Sequence, residues 1–227
     1  MKNWLNKVQR IKGSDFDRTS FLRLDKNERV IKFEKKFINY LKKNINLYNI
    51  SSYPNVFKVK KLISKKNNVS QEMIFLSAGS DLALKTCIEL FTKTRDKVII
   101  LEPTFGMIDV YIKLYNLNAI KIGYDQNLKL DTSFLLKKIS KEISMIILAN
   151  PNSPTGTIIE KKIMIKILNN CKKLNIPIVI DEAYDGFFKF SYVNLIRKFP
   201  NLIITKTFSK SYGLAGLRLG YAISNKK

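Results

Sequence analysis

The stretch from Thr205 to Gly220 reads Thr-Lys-Thr-Phe-Ser-Lys-Ser-Tyr-Gly-Leu-Ala-Gly-Leu-Arg-Leu-Gly and follows the strand-like run Leu202-Ile203-Ile204. A lysine that acts as a nucleophile needs a fixed amine beside an electrophilic carbonyl, and an arginine eight residues further on, Arg218, can hold an anionic tail of the same ligand. Lys210 is therefore read as a Schiff-base lysine. Taken alone it is one more lysine in a lysine-rich chain, so its support has to come from other segments.

Four other segments carry suitable groups. Ser77-Ala78-Gly79-Ser80-Asp81 places small residues at the start of a helix, where free N–H groups and the positive end of the helix dipole can seat a phosphate. A plain helix cap explains the same residues equally well. In Glu102-Pro103-Thr104-Phe105-Gly106, Phe105 can stack on a flat heterocycle or simply pack beside its turn. Ala149-Asn150-Pro151-Asn152-Ser153-Pro154-Thr155-Gly156 is more specific, because two prolines and a glycine fix a turn from which asparagine amides project. Asp181-Glu182-Ala183-Tyr184 ends an apolar run, and a carboxylate there is costly to bury without a cation. A cap or a salt bridge is the structural alternative for Asp181.

Chemistry at these points needs elements to hold it. Apolar runs at 73–76, 97–101, 119–124, 145–149, 177–180, 202–204 and 219–223 read as strands. Between them lie helix-length segments starting near Ser80-Asp81 and spanning about 107–115, 132–139 and 160–173. Strands apolar throughout and separated by helices predict an α/β fold, a mostly parallel sheet with helices on both faces, in which ligands gather at the carboxyl ends of the strands. Upstream, Phe33, Phe37, Ile38, Leu41, Ile45 and Leu47 at helical spacing predict one amphipathic helix over 33–48. Residues 1–32 read as an arm lying against the body or a partner. A turn at Ser51–Asn55 and a helix carrying Val59, Leu62 and Ile63 follow.

Composition narrows the chemistry. With 227 residues, 45% of them hydrophobic, the chain can bury a real core. It contains no histidine, which removes Ser-His-Asp and Cys-His catalysis and His-ligated zinc, and leaves proton transfer to Lys, Tyr or carboxylates. Cys87 and Cys171 fall in helical segments and read as inert buried thiols; neither a disulfide nor a metal site is expected. No apolar stretch reaches membrane-spanning length and the first residues carry no secretory h-region, so the expected compartment is the cytoplasm. The net charge of +23 invites a nucleic-acid reading. The lysines, however, are scattered as pairs such as Lys35-Lys36, Lys65-Lys66 and Lys172-Lys173, where solvated charge is the ordinary explanation.

In their order along the chain, Ser-Ala-Gly-Ser-Asp, Pro-Thr-Phe-Gly, Asn-Pro-Asn-Ser-Pro-Thr-Gly, Asp-Glu-Ala-Tyr and Thr-Phe-Ser-Lys-Ser-Tyr-Gly-Leu-Ala-Gly-Leu-Arg-Leu-Gly resemble the class I/II aminotransferases. These are fold-type I pyridoxal-phosphate enzymes, and the nearest resemblance is to the histidinol-phosphate aminotransferase branch. It runs from Leu24-Asp25-Lys26-Asn27-Glu28 to the end of the chain. The resemblance implies a cofactor, pyridoxal 5′-phosphate, bound covalently to Lys210, with Asp181 on the pyridine nitrogen, Tyr184 on the ring 3′-oxygen and Phe105 stacked on the ring. It implies a phosphate cup of Gly79, Ser80, Asp81, Thr207, Ser209 and Arg218. Tyr53, in Tyr-Pro, matches a tyrosine that reaches into the neighbouring subunit's site, which implies a homodimer acting on a small amino donor and a 2-oxo acid acceptor.

Two departures accompany the resemblance. The residue before Pro-Thr-Gly, usually an asparagine contacting the ring oxygen, is Ser153 here, preceded by Asn152; either can supply that contact. Relatives continue into a C-terminal small domain bearing the arginine that grips the substrate carboxylate. On that basis residues 1–48 are expected to form an arm and helix and 49–227 the cofactor-binding large domain, with the small domain absent and the arm weakly anchored. Two alternatives stand beside transamination: a pyridoxal-phosphate decarboxylase related to threonine-phosphate decarboxylase, with the same cofactor contacts, and a non-catalytic basic binding fragment.

Overall fold

A computed structural model describes residues 3–8 and 17–226. The parts of the arm at 1–2 and 9–16, and residue 227, lie outside the described residues. Seven strands form one sheet in the order β1-β7-β6-β5-β4-β2-β3: β1 (Ile74–Ser77), β2 (Lys97–Glu102), β3 (Asn118–Gly123), β4 (Ile143–Ala149), β5 (Ile178–Asp181), β6 (Leu202–Thr207) and β7 (Gly220–Ile223). Pairing is parallel from β3 through β6, while β7 runs antiparallel to both β6 and β1. The predicted mostly parallel sheet is thus present, with β7 as its one reversed strand.

Side chains alternate across the sheet and build two cores. Ile99, Leu101, Ile146, Leu148, Ile178, Ile180 and Ile204 pack with Ile63 of α3 (Phe57–Asn67), Leu135 of α6 (Thr132–Lys138) and Met164, Ile167 and Leu168 of α7 (Lys161–Leu174). Val98, Ile100, Met145, Ile147, Val179 and Ile203 pack with Ala83, Leu84 and Ile88 of α4 (Gly79–Phe91) and Ile108 of α5 (Gly106–Leu114). Both faces being covered explains why the central strands read as continuous apolar runs rather than alternating ones. Cys87 belongs to one core and Cys171 to the other, on opposite faces, and burial pushes both thiols up to about 12. They are buried and inert, as their helical contexts suggested.

Two elements differ from expectation. The single helix predicted over 33–48 is two, α1 (Lys35–Asn44) and α2 (Leu47–Ser51), because the Asn46 side chain accepts the Asn49 N–H at 3.0 Å and starts a new helix. Helix α4 begins one residue before Ser80. Its N-cap position is Ala78, which offers no side-chain cap. The first N–H groups of α4 are therefore not claimed by a capping side chain.

The reversed strand sets the spacing at the site. Gly220 pairs with Ser77 on one side and with Thr207 on the other, so β7 brings the start of α4 against the end of β6. The approach leaves no room for a side chain: a Cβ at Gly220 would sit 2.4 Å from the Gly79 carbonyl carbon and 2.5 Å from the Ser80 nitrogen. Both neighbours are backbone and cannot move aside. Gly220→Ala is expected to cost about 3 kcal/mol or more in a urea melt, whereas Gly216→Ala, with nothing within 4 Å of its added methyl, should leave the midpoint nearly unchanged.

Candidate active site

The strand register puts Ala149, Asp181 and Thr205 side by side at the carboxyl ends of β4, β5 and β6. They share the sheet face that packs against α4, because they continue the alternation of Ile147, Val179 and Ile203. Asp181 is 3% exposed. Its Oδ1 accepts the Thr205 hydroxyl at 2.7 Å, and the Ala183 N–H also donates to the carboxylate. No ion pair joins it among the described residues. Burial therefore raises its pKa to about 6, and the carboxylates of Glu182 and Asp81 push it further up against the two hydrogen bonds.

Immediately beyond, alternate residues point through the opposite face. Lys206, 3% exposed, lies 3.1 Å from Glu182 Oε2 and 2.8 Å from Asp185 Oδ2. Glu182 also accepts the Ser191 hydroxyl at 2.5 Å and the Tyr192 N–H at 2.7 Å. Burial works against the Lys206 charge, but the two carboxylates outweigh it and hold the ammonium protonated. This cluster was not foreseen from the sequence: within Thr205–Gly220 only Lys210 was given a role among the lysines. Its available signal was the pairing of Glu182 directly after Asp181 with Lys206 directly after Thr205 on neighbouring strands.

Lys210 follows on the loop after β6, partly buried. Its Nζ donates to the Lys26 carbonyl at 2.7 Å and lies 5.6 Å from the centre of the Tyr184 ring. The Tyr184 hydroxyl accepts from Asn27 Nδ2 at 2.8 Å and donates to Ser153 Oγ at 3.4 Å. Residues 26–29 of the arm thus lie over the lysine loop, and Arg29 packs so closely on Gly213 that a Cβ there would lie 2.5 Å from Arg29 Cδ. The expectation of a weakly anchored arm does not hold for this segment, whose tie to the loop is made by contacts distant in sequence.

Asn152 sits 3% exposed at the adjoining turn, with its amide fully engaged: Oδ1 accepts the Thr104 hydroxyl, and Nδ2 donates to the Pro103 carbonyl and to Thr155 Oγ1, each at 2.9 Å. Of the two neighbours it is Ser153 whose hydroxyl reaches Tyr184. Phe105 stands at the start of α5, partly buried against the core beneath α4. Tyr53, on the loop between α2 and α3, is fully exposed.

At the other end of the site, Arg218 adopts the left-handed conformation, φ 48°, after a short 3₁₀ turn. Its guanidinium donates to the Ala78 carbonyl at 3.3 Å and to Ser209 Oγ at 3.5 Å. It lies so close to Gly79 that a Cβ there would be 2.9 Å from Nη2, and Gly79 itself has φ 81°. The Thr207 and Ser209 hydroxyls are 3.0 Å apart, both buried, and the Ser209 N–H donates to Thr207 Oγ1. Asp81, in the first turn of α4, accepts the Tyr111 hydroxyl at 2.8 Å. The start of α4, two hydroxyls and a guanidinium therefore converge, a donor set suited to a phosphate.

The raised Asp181 pKa has a consequence for stability. The folded state binds this proton more tightly than the unfolded chain, so the stability it confers is present at low pH and is lost as pH rises through about 6. Asp181→Asn removes that dependence. In urea melts of cofactor-free protein, the variant's stability relative to the unmodified chain should rise between about pH 4 and pH 7, by roughly 3 kcal/mol; a constant difference would contradict the burial of an unpaired carboxylate.

Residues 22–227 match the family Aminotransferase class I and II. The histidinol-phosphate aminotransferase of Clostridium novyi is 33% identical over 207 residues, which are 90% of this chain and 57% of that protein. That of Flavobacterium johnsoniae is 36% identical over 220 residues, 93% of this chain and again 57% of the relative. The crystal structure of the histidinol-phosphate aminotransferase from Clostridium acetobutylicum superposes with a TM-score of 0.72 at 27% identity, covering 85% of this chain and 57% of that one. The chain thus spans a little over half the length of these relatives. With the match running through every strand of the sheet and all the strand-end segments described above, the chain belongs to the class I and II aminotransferases.

Proposed function

We propose that this chain carries the cofactor site of a pyridoxal 5′-phosphate-dependent aminotransferase that moves an amino group between a small amino donor and a 2-oxo acid acceptor. The observation that carries the reading is the buried carboxylate of Asp181, without an ion pair among the described residues, with a phosphate-type donor set toward one end and a lysine with a tyrosine toward the other. A flat ring with a protonated nitrogen, a phosphate and an aldehyde meets each of these needs.

The residues fit that group in detail. Asp181 would face the ring nitrogen and keep it protonated, and the cation would in turn hold the carboxylate ionised. Tyr184 and Ser153 would serve the ring oxygen, since the Asn152 amide is already engaged within its own turn. Phe105 is proposed as the stacking ring. Backbone N–H groups at Gly79, Ser80 and Asp81, with Thr207, Ser209 and Arg218, would hold the phosphate. When bound, pyridoxal phosphate supplies an electrophilic aldehyde conjugated to an electron sink. Lys210 supplies the amine that anchors it and, once released, carries a proton to and from the substrate α-carbon. Lys206 is unsuited to this work, being buried and held as an ammonium by two carboxylates.

The similarity to histidinol-phosphate aminotransferases favours a phosphorylated amino alcohol or an amino acid as donor. A homodimer in the cytoplasm is part of the same proposal. Supporting it, Tyr53 stands clear of its own chain, and Tyr40, Ile45, Leu47, Tyr48, Ile50 and Leu62 expose a large apolar surface beside it in sequence. Among the described residues no helix is long and apolar enough to cross a membrane. Residues 49–227 are proposed as the cofactor-binding body and 1–48 as the arm and its helix.

Borohydride reduction of the protein loaded with pyridoxal phosphate, followed by peptide mapping, tests the assignment. The label is expected on Lys210 and absent in Lys210→Ala, whose transamination should fall at least about a hundredfold. A label on Lys206 or on any other lysine would overturn it.

A further inference from the structure

The contact between Thr205 and Asp181 goes beyond the proposed cofactor site. Strands β5 and β6 bring the two side chains into register on one face, and the hydroxyl of Thr205, itself fully buried, donates to Asp181 Oδ1 at 2.7 Å. The residues before it on β6, Leu202, Ile203 and Ile204, are apolar, as a strand covered on both faces requires. A hydroxyl at such a position must find an acceptor, and among the described residues the side-chain acceptor it meets is Asp181.

We infer, resting on the cofactor reading above, that Thr205 is a positioning residue for the ring-nitrogen contact: it holds Oδ1, fixes the rotation of the carboxylate about Cβ–Cγ, and favours the ionised form. The carboxylate has little other help. Its second donor is the Ala183 N–H, and the charges acting on it, Glu182 and Asp81, are both negative and disfavour ionisation. In this setting a single hydroxyl contributes more than it would in water, because a hydrogen bond to a charged group in a buried site is about twice as strong as one between neutral groups. Thr205 also sits directly before Lys206, whose ion pairs with Glu182 and Asp185 lock the same two strand ends from the opposite face. The strand backbone that carries the hydroxyl is thereby held in place.

The test compares two ligands on the full chain: pyridoxal phosphate, and its analogue with a C–H group replacing the ring nitrogen. Both carry the phosphate and the aldehyde, so only the ring-nitrogen contact differs. Thr205→Val is expected to weaken pyridoxal phosphate binding by about 10- to 100-fold in calorimetric titration, from the usual worth of a hydrogen bond to a charged group, and to leave the carbon analogue unaffected. Thr205→Ser should restore the affinity, and Thr205→Ala repeats the measurement if the valine variant does not fold. Equal weakening of both ligands, or no change in either, would overturn the role of Thr205, as would failure of serine to restore binding. Should the unmodified chain bind neither aldehyde, the cofactor reading falls and this inference with it. If it prefers the ring-nitrogen ligand and Thr205→Val keeps that preference, only Thr205 is excluded.

Discussion

A buried pair and a buried lysine held by two carboxylates, at the ends of β5 and β6, hold the candidate site together. On one face Thr205 meets Asp181; one residue further, on the other face, Lys206 meets Glu182 and Asp185. Burying an ammonium with carboxylates carries a large desolvation cost, offset only when hydrogen bonds complete the group, as Ser191 and Tyr192 do for Glu182. Such an arrangement gives position rather than surplus stability. It pins the strand ends from which Asp181, Tyr184 and the lysine loop extend.

The electrostatics of the site divide along its length. Near Gly79 and Arg218 the site presents backbone donors and a guanidinium, while near Asp181 it presents a carboxylate with no cation beside it among the described residues. A ligand that is anionic at one end and cationic at the other is matched at both, and one of uniform charge is opposed at one of them. This gradient is set by a few groups fixed at the site rather than by lysines in solvent, whose charge is screened.

Much of this was legible in the sequence for identifiable reasons. Met145–Ala149 and Val98–Leu101 are apolar because both sheet faces are covered, and that pattern survives without knowledge of any contact. Asp181 was conspicuous as a charge closing such a run. The reversal of β7 was not legible, since four residues, Gly220–Ile223, pair with the same alternation in either direction. Nor was the arm's hold on the lysine loop: Asn27–Tyr184 and Lys26–Lys210 join residues far apart in the chain through groups with no local signature. The division of α1 from α2 did have a signal, Asn46, a residue type favoured at helix starts, which the hydrophobic spacing on either side concealed.

The strand order also dictates an order of assembly. Among the described residues the first strand, β1, lies at the sheet edge and pairs with β7 alone, the last strand described. During synthesis the residues of β2 through β6 can join one another as they emerge, but β1 has no strand to pair with until Gly220–Ile223 appears. The donor end of the candidate site therefore closes only once β7 has reached β1 across the intervening chain, and until then an unpaired edge is open to wrong partners.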